Sequence, residues 1–326
     1  MKIIITGATG SLGGFLTRWF SAKGHEVTAV GRVASPPPAL LSCAKYLRAD
    51  ISNPLSFSEA DIVIHSAALA DDKAKSEELY RANVAGTENV LQASAGARVF
   101  IHVSTSSVYT HNENPLTEEM AQWNSPEKLS HYGVSKLQAE KCVQEKAKNS
   151  SVFILRPRGI YGPGDKVLLP RLMKLVKNEK LIVPGGMKVN LSMTHFENFA
   201  SAVEACFNSG KKGLHTYNIA DDEQYVLYDV IKKLLNGIFE KDLSEKNIPL
   251  GLLKIMAAIH LGEVTPLFLN TVSKNMMLDI SKIKNELGFI PQRNLENSLP
   301  EILEWVNRIG GIEVLRKGEN SLAWKY

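Results

Sequence analysis

The chain has 326 residues, 44% of them hydrophobic and 22% charged, enough to bury one large core or two closely joined ones. Lys and Arg number 38 against 34 Asp and Glu, a net charge of +4 spread along the sequence with no cluster of cations and aromatics, which argues against a nucleic-acid partner. Three cysteines, Cys43, Cys142 and Cys206, stand at no paired spacing, so no disulfide framework, zinc site or other metal centre is expected.

The chain opens MKIIITGATGSLGG. Ile3-Ile4-Ile5 is apolar and β-branched without alternation, which predicts a strand from Lys2 to Thr6 buried on both faces of a parallel sheet. The run is too short to span a membrane, and Gly and Thr interrupt it before a secretory signal could form; no membrane contact and a cytoplasmic location are expected. A helix is predicted over Leu12 to Lys23, then strands at Glu26 to Val30 and Asp61 to Ser66, a helix from Lys75 to Ala95 and a strand from Arg98 to Ser104. A helix from Tyr132 to Lys148 and a strand from Val152 to Arg156 complete an alternation that predicts an α/β doubly wound sheet with helices on both faces. Past Arg156 the rhythm loosens: Gly and Pro mark loops at Gly159 to Gly164 and Pro184 to Gly186, and Gly213 to Ala220 is expected to return to the sheet. From Asp221 the chain is largely helical and ends in a clear segment, Leu299 to Arg308. The apolar stretch Ile248 to Leu261, interrupted by Lys254 and His260, is expected to form core or a wall of a substrate pocket.

A strand running into Gly-x-x-Gly-x-x-Gly and then a helix puts free amide donors and the positive helix end at the carboxyl edge of the sheet, where a diphosphate fits. Gly7 suits a tight turn, Gly10 a close approach of phosphate to main chain, and Gly13 close packing of helix on strand. After the second strand comes Gly31-Arg32 rather than a carboxylate. A guanidinium there can fork onto a 2′-phosphate, which favours NADP over NAD while leaving NAD possible. Arg48 is a second candidate for that contact. Further on, Tyr132 and Lys136 stand four apart on a predicted helix and share a face, and an ammonium beside a phenol favours phenolate.

These segments together resemble the extended short-chain dehydrogenase/reductases, the group that also holds sugar-nucleotide epimerases and dehydratases. TGATGSLG is similar to the family's cofactor loop, with Gly7, Thr9, Gly10, Ser11, Leu12 and Gly13 as contacts, and Asp50-Ile51 to its adenine bracket. HSAAL, containing Ser66, Ala67 and Ala68, and NVAGTENVLQA, opening at Asn83, resemble its next two motifs. VSTSSVY resembles the active-site strand, YGVSK the Tyr/Lys pair, and RPRGIYGPGD the nicotinamide-side loop, with Pro157, Gly159 and Ile160. LDISKIKNELGFIP is similar to the closing segment, so the match covers about nine-tenths of the chain. The resemblance implies a Rossmann-type NADP-binding domain over residues 1–160, to which 190–220 return, and a smaller, mainly helical substrate region from 161–189 and 221–326. It implies Tyr132 as general acid/base, Lys136 as holder of the nicotinamide ribose, and Thr105 as the hydroxyl bonded to the substrate oxygen, with Ser104 and Ser106 close by. Thr105, Ser106 and Arg158 are the expected substrate contacts. A homodimer through the helices around Asn83 to Ala93 and Tyr132 to Val143 is implied too.

Three departures narrow the branch. Ser106-Ser107 replaces the Asp-Glu pair of the dehydratases. Gly159 stands where sugar-nucleotide enzymes place an asparagine, and Leu191 where they place an arginine. LRPRGIYGPGDKVLLPRL and MTHFENFASAV resemble instead the 3β-hydroxysteroid dehydrogenase and dihydroflavonol reductase branch. The function implied is oxidoreduction between a hydroxyl and a ketone on a small, fairly apolar substrate. The alternatives are a nucleotide-sugar epimerase that meets its diphosphate through Arg158, Lys166 or Arg171, and a non-catalytic NADP-sensing regulator.

Overall fold

The computed structural model describes residues 1–71, 74–110, 115–259, 264–317 and Trp324. Seven parallel strands form the central sheet: β1 (Lys2–Thr6), β2 (Glu26–Gly31), β3 (Lys45–Arg48), β4 (Ile62–His65), β5 (Val99–Val103), β6 (Ser151–Pro157) and β7 (Gly213–Ile219). Their spatial order is β7-β6-β5-β4-β1-β2-β3. The expected doubly wound α/β fold is present, and its strand order reverses beside β1, where the carboxyl ends of β1 and β4 leave a crevice.

The unbroken isoleucine run has a direct cause. Ile3 and Ile5 pack on one side of the sheet with Leu16, Phe20 and Phe199, while Ile4 packs on the other with Val90, Phe100 and Val143. The first side is covered by α1 (Ser11–Ala22) and α4 (Phe196–Asn208), the second by α2 (Gly86–Ala93) and α3 (His131–Lys146). Stacked rings of Phe15 and Phe196, 5.3 Å between centroids, join α1 to α4.

Several expectations are corrected. The predicted helix Lys75 to Ala95 is interrupted: Ser76–Leu79 is α-helical, Tyr80–Ala85 widens into a π turn, and α2 follows. Strand β3 lies where the sequence pattern predicts no strand. The later region is less purely helical than expected, since Val176–Lys177 and Ser244–Ile248 flank Lys180–Pro184 in a second, three-stranded sheet. That region has its own core, in which Leu172, Val183 and Met187 meet α5 (Leu227–Phe239) and α7 (Leu295–Arg308) through Leu234, Ile302 and Trp305. It joins the sheet through Ile280, Ile283 and Phe289, which enter the core around Ile3 and Ile5, and through the buried Asp221 carboxylate, which accepts from His195 N, Asn198 Nδ2 and the Tyr161 hydroxyl at 2.8, 2.7 and 2.8 Å. The apolar stretch Ile248 to Leu261 gives the core one residue and the cleft wall none over its described part. It forms α6 (Leu250–Ala258), which buries Leu253 alone and leaves Ile255 60% exposed. His260 and Leu261 lie outside the described residues.

Candidate active site

The crevice beside β1 opens into one cleft of about 1530 Å³ that continues into the later region. At its first end lies the turn after β1. Gly7 has φ +72°, and a Cβ there would sit 2.8 Å from the backbone of Ala67. A Cβ on Gly13 would lie 2.3 Å from the Gly7 carbonyl oxygen, so any side chain would push α1 off the turn. These two glycines are therefore required by the fold itself. Gly10 lies in the cleft wall with Thr9, Ser11 and Leu12. The turn is tied to its neighbours: Ser66 Oγ donates to the Thr6 carbonyl at 2.6 Å, and Lys166 N donates to Ser11 Oγ at 3.0 Å. Glycine flooring with a helix start behind it fits a diphosphate.

Arg32 is exposed, faces the cleft from the end of β2, and pairs with no acidic side chain among the described residues. Asp50, Ile51, Ala67 and Ala68 complete this end. Arg48 is exposed on β3 and is not in the wall.

Thr105, Tyr132 and Lys136 line the same cleft, as do Pro157, Gly159 and Ile160. The sequence builds this meeting point locally. Thr105 follows β5 in extended conformation, and its Oγ1 caps the next turn by accepting from Ser107 N at 3.2 Å. Ser130 caps α3, so Tyr132 falls in the first turn and Lys136 one turn later. Gly133 allows the close contact: a Cβ there would lie 2.4 Å from the Ser107 carbonyl oxygen. Lys136 is 2% exposed, donates to the Val103 carbonyl at 2.7 Å, and has Nζ 3.3 Å from His102 Nε2. Burial lowers its ammonium to about 8, with Glu140 pulling the other way. Burial likewise holds His65 down to about 3 and His102 well below its ordinary value, so both imidazoles beside Lys136 are neutral.

Two expected contacts are not in the wall. Asn83 is 1% exposed and fully engaged: it accepts from Leu69 N at 2.7 Å and donates to Ser135 Oγ at 2.9 Å, so it holds the loop after β4 instead of facing the cleft. Ser106 is 3% exposed beneath the turn, and Ser107, not among the expected contacts, stands in the wall instead. Arg158 is in the wall.

The later region gives the cleft apolar side chains, Leu168, Leu172, Leu191, Met193 and Ile231 among them, alongside the cations Lys166, Arg171 and Lys274. Of the apolar ones only Leu191 stood out in the sequence; the others come from elements spread between 168 and 239 and meet only in the fold. Away from the cleft, His195, Glu197 and Glu301 bring ligand atoms within 4.8 Å of one another, and Arg293 already bonds both carboxylates.

The model for the NAD dependent epimerase/dehydratase family matches residues 3–220, two thirds of the chain. The chain belongs to that family. It is an enzyme of the NAD(P)-dependent short-chain dehydrogenase/reductase type. Among relatives, the 2-alkyl-3-oxoalkanoate reductase of Stenotrophomonas maltophilia is 29% identical, over 73% of this chain and 76% of its own. The 3-beta-hydroxysteroid dehydrogenase of Mycolicibacterium neoaurum is 25% identical, over 93% and 91%. The UDP-glucuronic acid 4-epimerase of Bacillus cereus, solved with NAD, shares the fold at TM-score 0.76 and 22% identity, covering 99% of both chains. No helix among the described residues is long and apolar enough to cross a membrane.

Proposed function

We propose that this family member interconverts a hydroxyl and a ketone on a small, largely apolar substrate, preferring NADP(H) and able to use NAD(H). The observation that carries the reading is that Thr105, Tyr132 and Lys136 line the same cleft as the glycine turn and Arg32, and that Leu172, Leu191, Met193 and Ile231 line it too. A bound nicotinamide coenzyme supplies the hydride donor or acceptor. The chain's own residues do the rest. In reduction Tyr132 gives its phenolic proton to the carbonyl oxygen, and in oxidation it takes the proton from the hydroxyl. Thr105 donates a hydrogen bond to the same oxygen as negative charge builds there. Lys136, on the same face of α3 as Tyr132, supplies the cation that favours phenolate and reaches for the nicotinamide ribose. Arg32 forks onto the 2′-phosphate, and Gly7, Gly10 and Gly13 leave room for the diphosphate. The names of the oxoalkanoate reductase and the hydroxysteroid dehydrogenase support the same chemistry. A homodimer formed through α2 and α3, in the cytoplasm, belongs to the same proposal.

One observation favours a second reading, nucleotide-sugar epimerisation: Lys166 and Arg171 face the cleft and could meet a diphosphate. One assay separates the two. Mixed with NADPH and a panel of hydrophobic ketones, the protein should consume coenzyme, read as falling absorbance of the reduced nicotinamide. An epimerase keeps its coenzyme and shows no net consumption, and that outcome across the panel overturns the first reading.

A further inference from the structure

Two arginines two residues apart behave in opposite ways. Arg156, on β6, spends its whole guanidinium: Nε and Nη2 donate to Glu140 at 2.9 and 2.6 Å, and Nη1 donates to the Tyr109 hydroxyl and the Glu118 carbonyl. Arg158 spends almost nothing. Its side chain makes one long contact, Nη1 to Ser106 Oγ at 3.5 Å, and its Nε is buried with no hydrogen-bond partner. No carboxylate pairs with it among the described residues, and burial alone pushes its guanidinium down to about 10. Its backbone, by contrast, is pinned: Arg158 N donates to Thr194 Oγ1 at 3.2 Å, and that hydroxyl lies 2.9 Å from the Arg158 carbonyl oxygen.

Arg158 is half-buried in the cleft wall with its Nε covered and unpaired, and a cation so placed without a carboxylate beside it gains most when something else brings the anion. The acidic side chains of the wall do not serve. Asp165, the nearest in sequence, uses both carboxylate oxygens to cap Val167, Leu168 and Leu169. The position narrows what the anion can be. Arg158 touches Ser106, the residue directly after Thr105, and adjacent α-carbons are about 3.8 Å apart. An anion held there lies a few bonds from an oxygen held by Thr105 and Tyr132, and the apolar wall takes the remainder of the molecule.

We propose that Arg158 receives an oxyanion carried by the substrate, a carboxylate or a phosphate placed close to the reacting carbon, so that the substrate is an amphiphile with an apolar body and an anionic head. This rests on the oxidoreductase reading for the position of the reacting carbon, but the binding test does not need turnover. A guanidinium fork matches either oxyanion in two parallel hydrogen bonds, so a neutral analogue forfeits both.

The test uses the full chain saturated with NADP or NADPH, and the variants Arg158→Gln and Arg158→Lys. In the binding arm, calorimetry with octanoate, octyl phosphate and octanol compares carboxylate, phosphate and neutral head on one apolar body. One of the two anions should bind at least tenfold tighter than octanol to the natural protein, and which one does so identifies the head group. Arg158→Gln should bring that ratio to about one, and Arg158→Lys should retain part of it. In the turnover arm, 3-oxooctanoate is compared with its methyl ester, and for a carboxylate head the acid-to-ester ratio of kcat/KM should fall at least tenfold in Arg158→Gln. Each ratio is taken within one protein, so damage to folding does not mimic the result. Binding that depends on Arg158 without any reduction keeps this inference and removes the oxidoreductase reading. Equal binding of all three probes by the natural protein, or an unchanged ratio in Arg158→Gln, overturns the inference.

Discussion

Lys136 carries a charge that the fold tolerates at a cost that varies with pH. It is 2% exposed, and its ammonium is lowered from the ordinary 10.5 to about 8, chiefly by burial. Between those values the unfolded chain holds a proton on this lysine that the folded chain has released, so stability rises with pH across that window. Below pH 8 both states are protonated and the folded one bears the full desolvation cost; above 10.5 both are neutral and the cost is gone. The interval of two and a half pH units, at about 1.36 kcal/mol each, gives about 3 kcal/mol. Lys136→Met keeps the length of the side chain and removes the titration. The measurement is urea unfolding of the natural protein and the variant, without coenzyme, at steps from pH 7 to 10.5, with the difference in unfolding free energy taken at each step so that other titrating groups cancel. Relative to the variant, the natural protein should gain about 3 kcal/mol over the window. Parallel stability curves would show that Lys136 is not a desolvated ammonium, and would remove the basis for treating it as a perturbed group.

Tyr132→Phe keeps the ring and removes the transferable proton, so turnover should fall by about a hundredfold or more while the coenzyme dissociation constant stays nearly unchanged; retained turnover excludes Tyr132 as acid/base. Arg32→Ala should weaken NADPH by about tenfold or more and NADH little, measured by titration of each, because only the 2′-phosphate loses its fork; equal weakening refutes that contact. Gly13→Ala forces a Cβ to within 2.3 Å of a backbone oxygen, which should destabilise the fold by about 2 kcal/mol or more, visible as a lowered Tm. A Tm equal to that of the natural protein would mean that α1 has room to shift.

What was legible in the sequence was local. The glycine turn could be read because its demands fall on single residues: a positive φ at Gly7, a missing side chain at Gly13. The isoleucine run and its partners were legible because both faces of a central strand are buried. Strand β3 was not, since KYLR carries two charges in four residues and pairs, at the sheet edge, with β2 as its one neighbouring strand. Nor was the inward turn of Asn83, whose partners Leu69 and Ser135 lie 14 and 52 residues away. Hydropathy misled at α6, where an apolar composition suggested burial while Leu252 and Ile255 are 49% and 60% exposed and Ile259, just after it, 63%. An apolar run announces a need for cover without saying where the cover is.

The run of hydroxyls Ser104-Thr105-Ser106-Ser107 shows what three-dimensional accounting adds to a motif. Any of the first three could be aligned with the family's active-site hydroxyl, but their protons are not equally available. Ser104 Oγ donates to Glu140 Oε1 at 2.5 Å, inside a buried pair with Arg156 whose further bonds run to Tyr109 and, through the Tyr109 hydroxyl, to Asn218. Withdrawing one member of such a buried pair costs about 3–5 kcal/mol, and withdrawing a bonded hydroxyl from it leaves a charged oxygen short of a donor, so Ser104 is not free to serve a substrate. Ser106 is covered from the cleft. Thr105 is different: its Oγ1 donates only to Ser107 Oγ, at 3.2 Å, in the cleft wall. A substrate oxygen can replace that partner for the loss of one long hydroxyl bond, after which the Ser107 hydroxyl, itself in the wall, can turn to a ligand or to water. The preference for Thr105 thus rests on where a proton can be released cheaply, a property set by Glu140 and Arg156 on elements far from the motif in sequence.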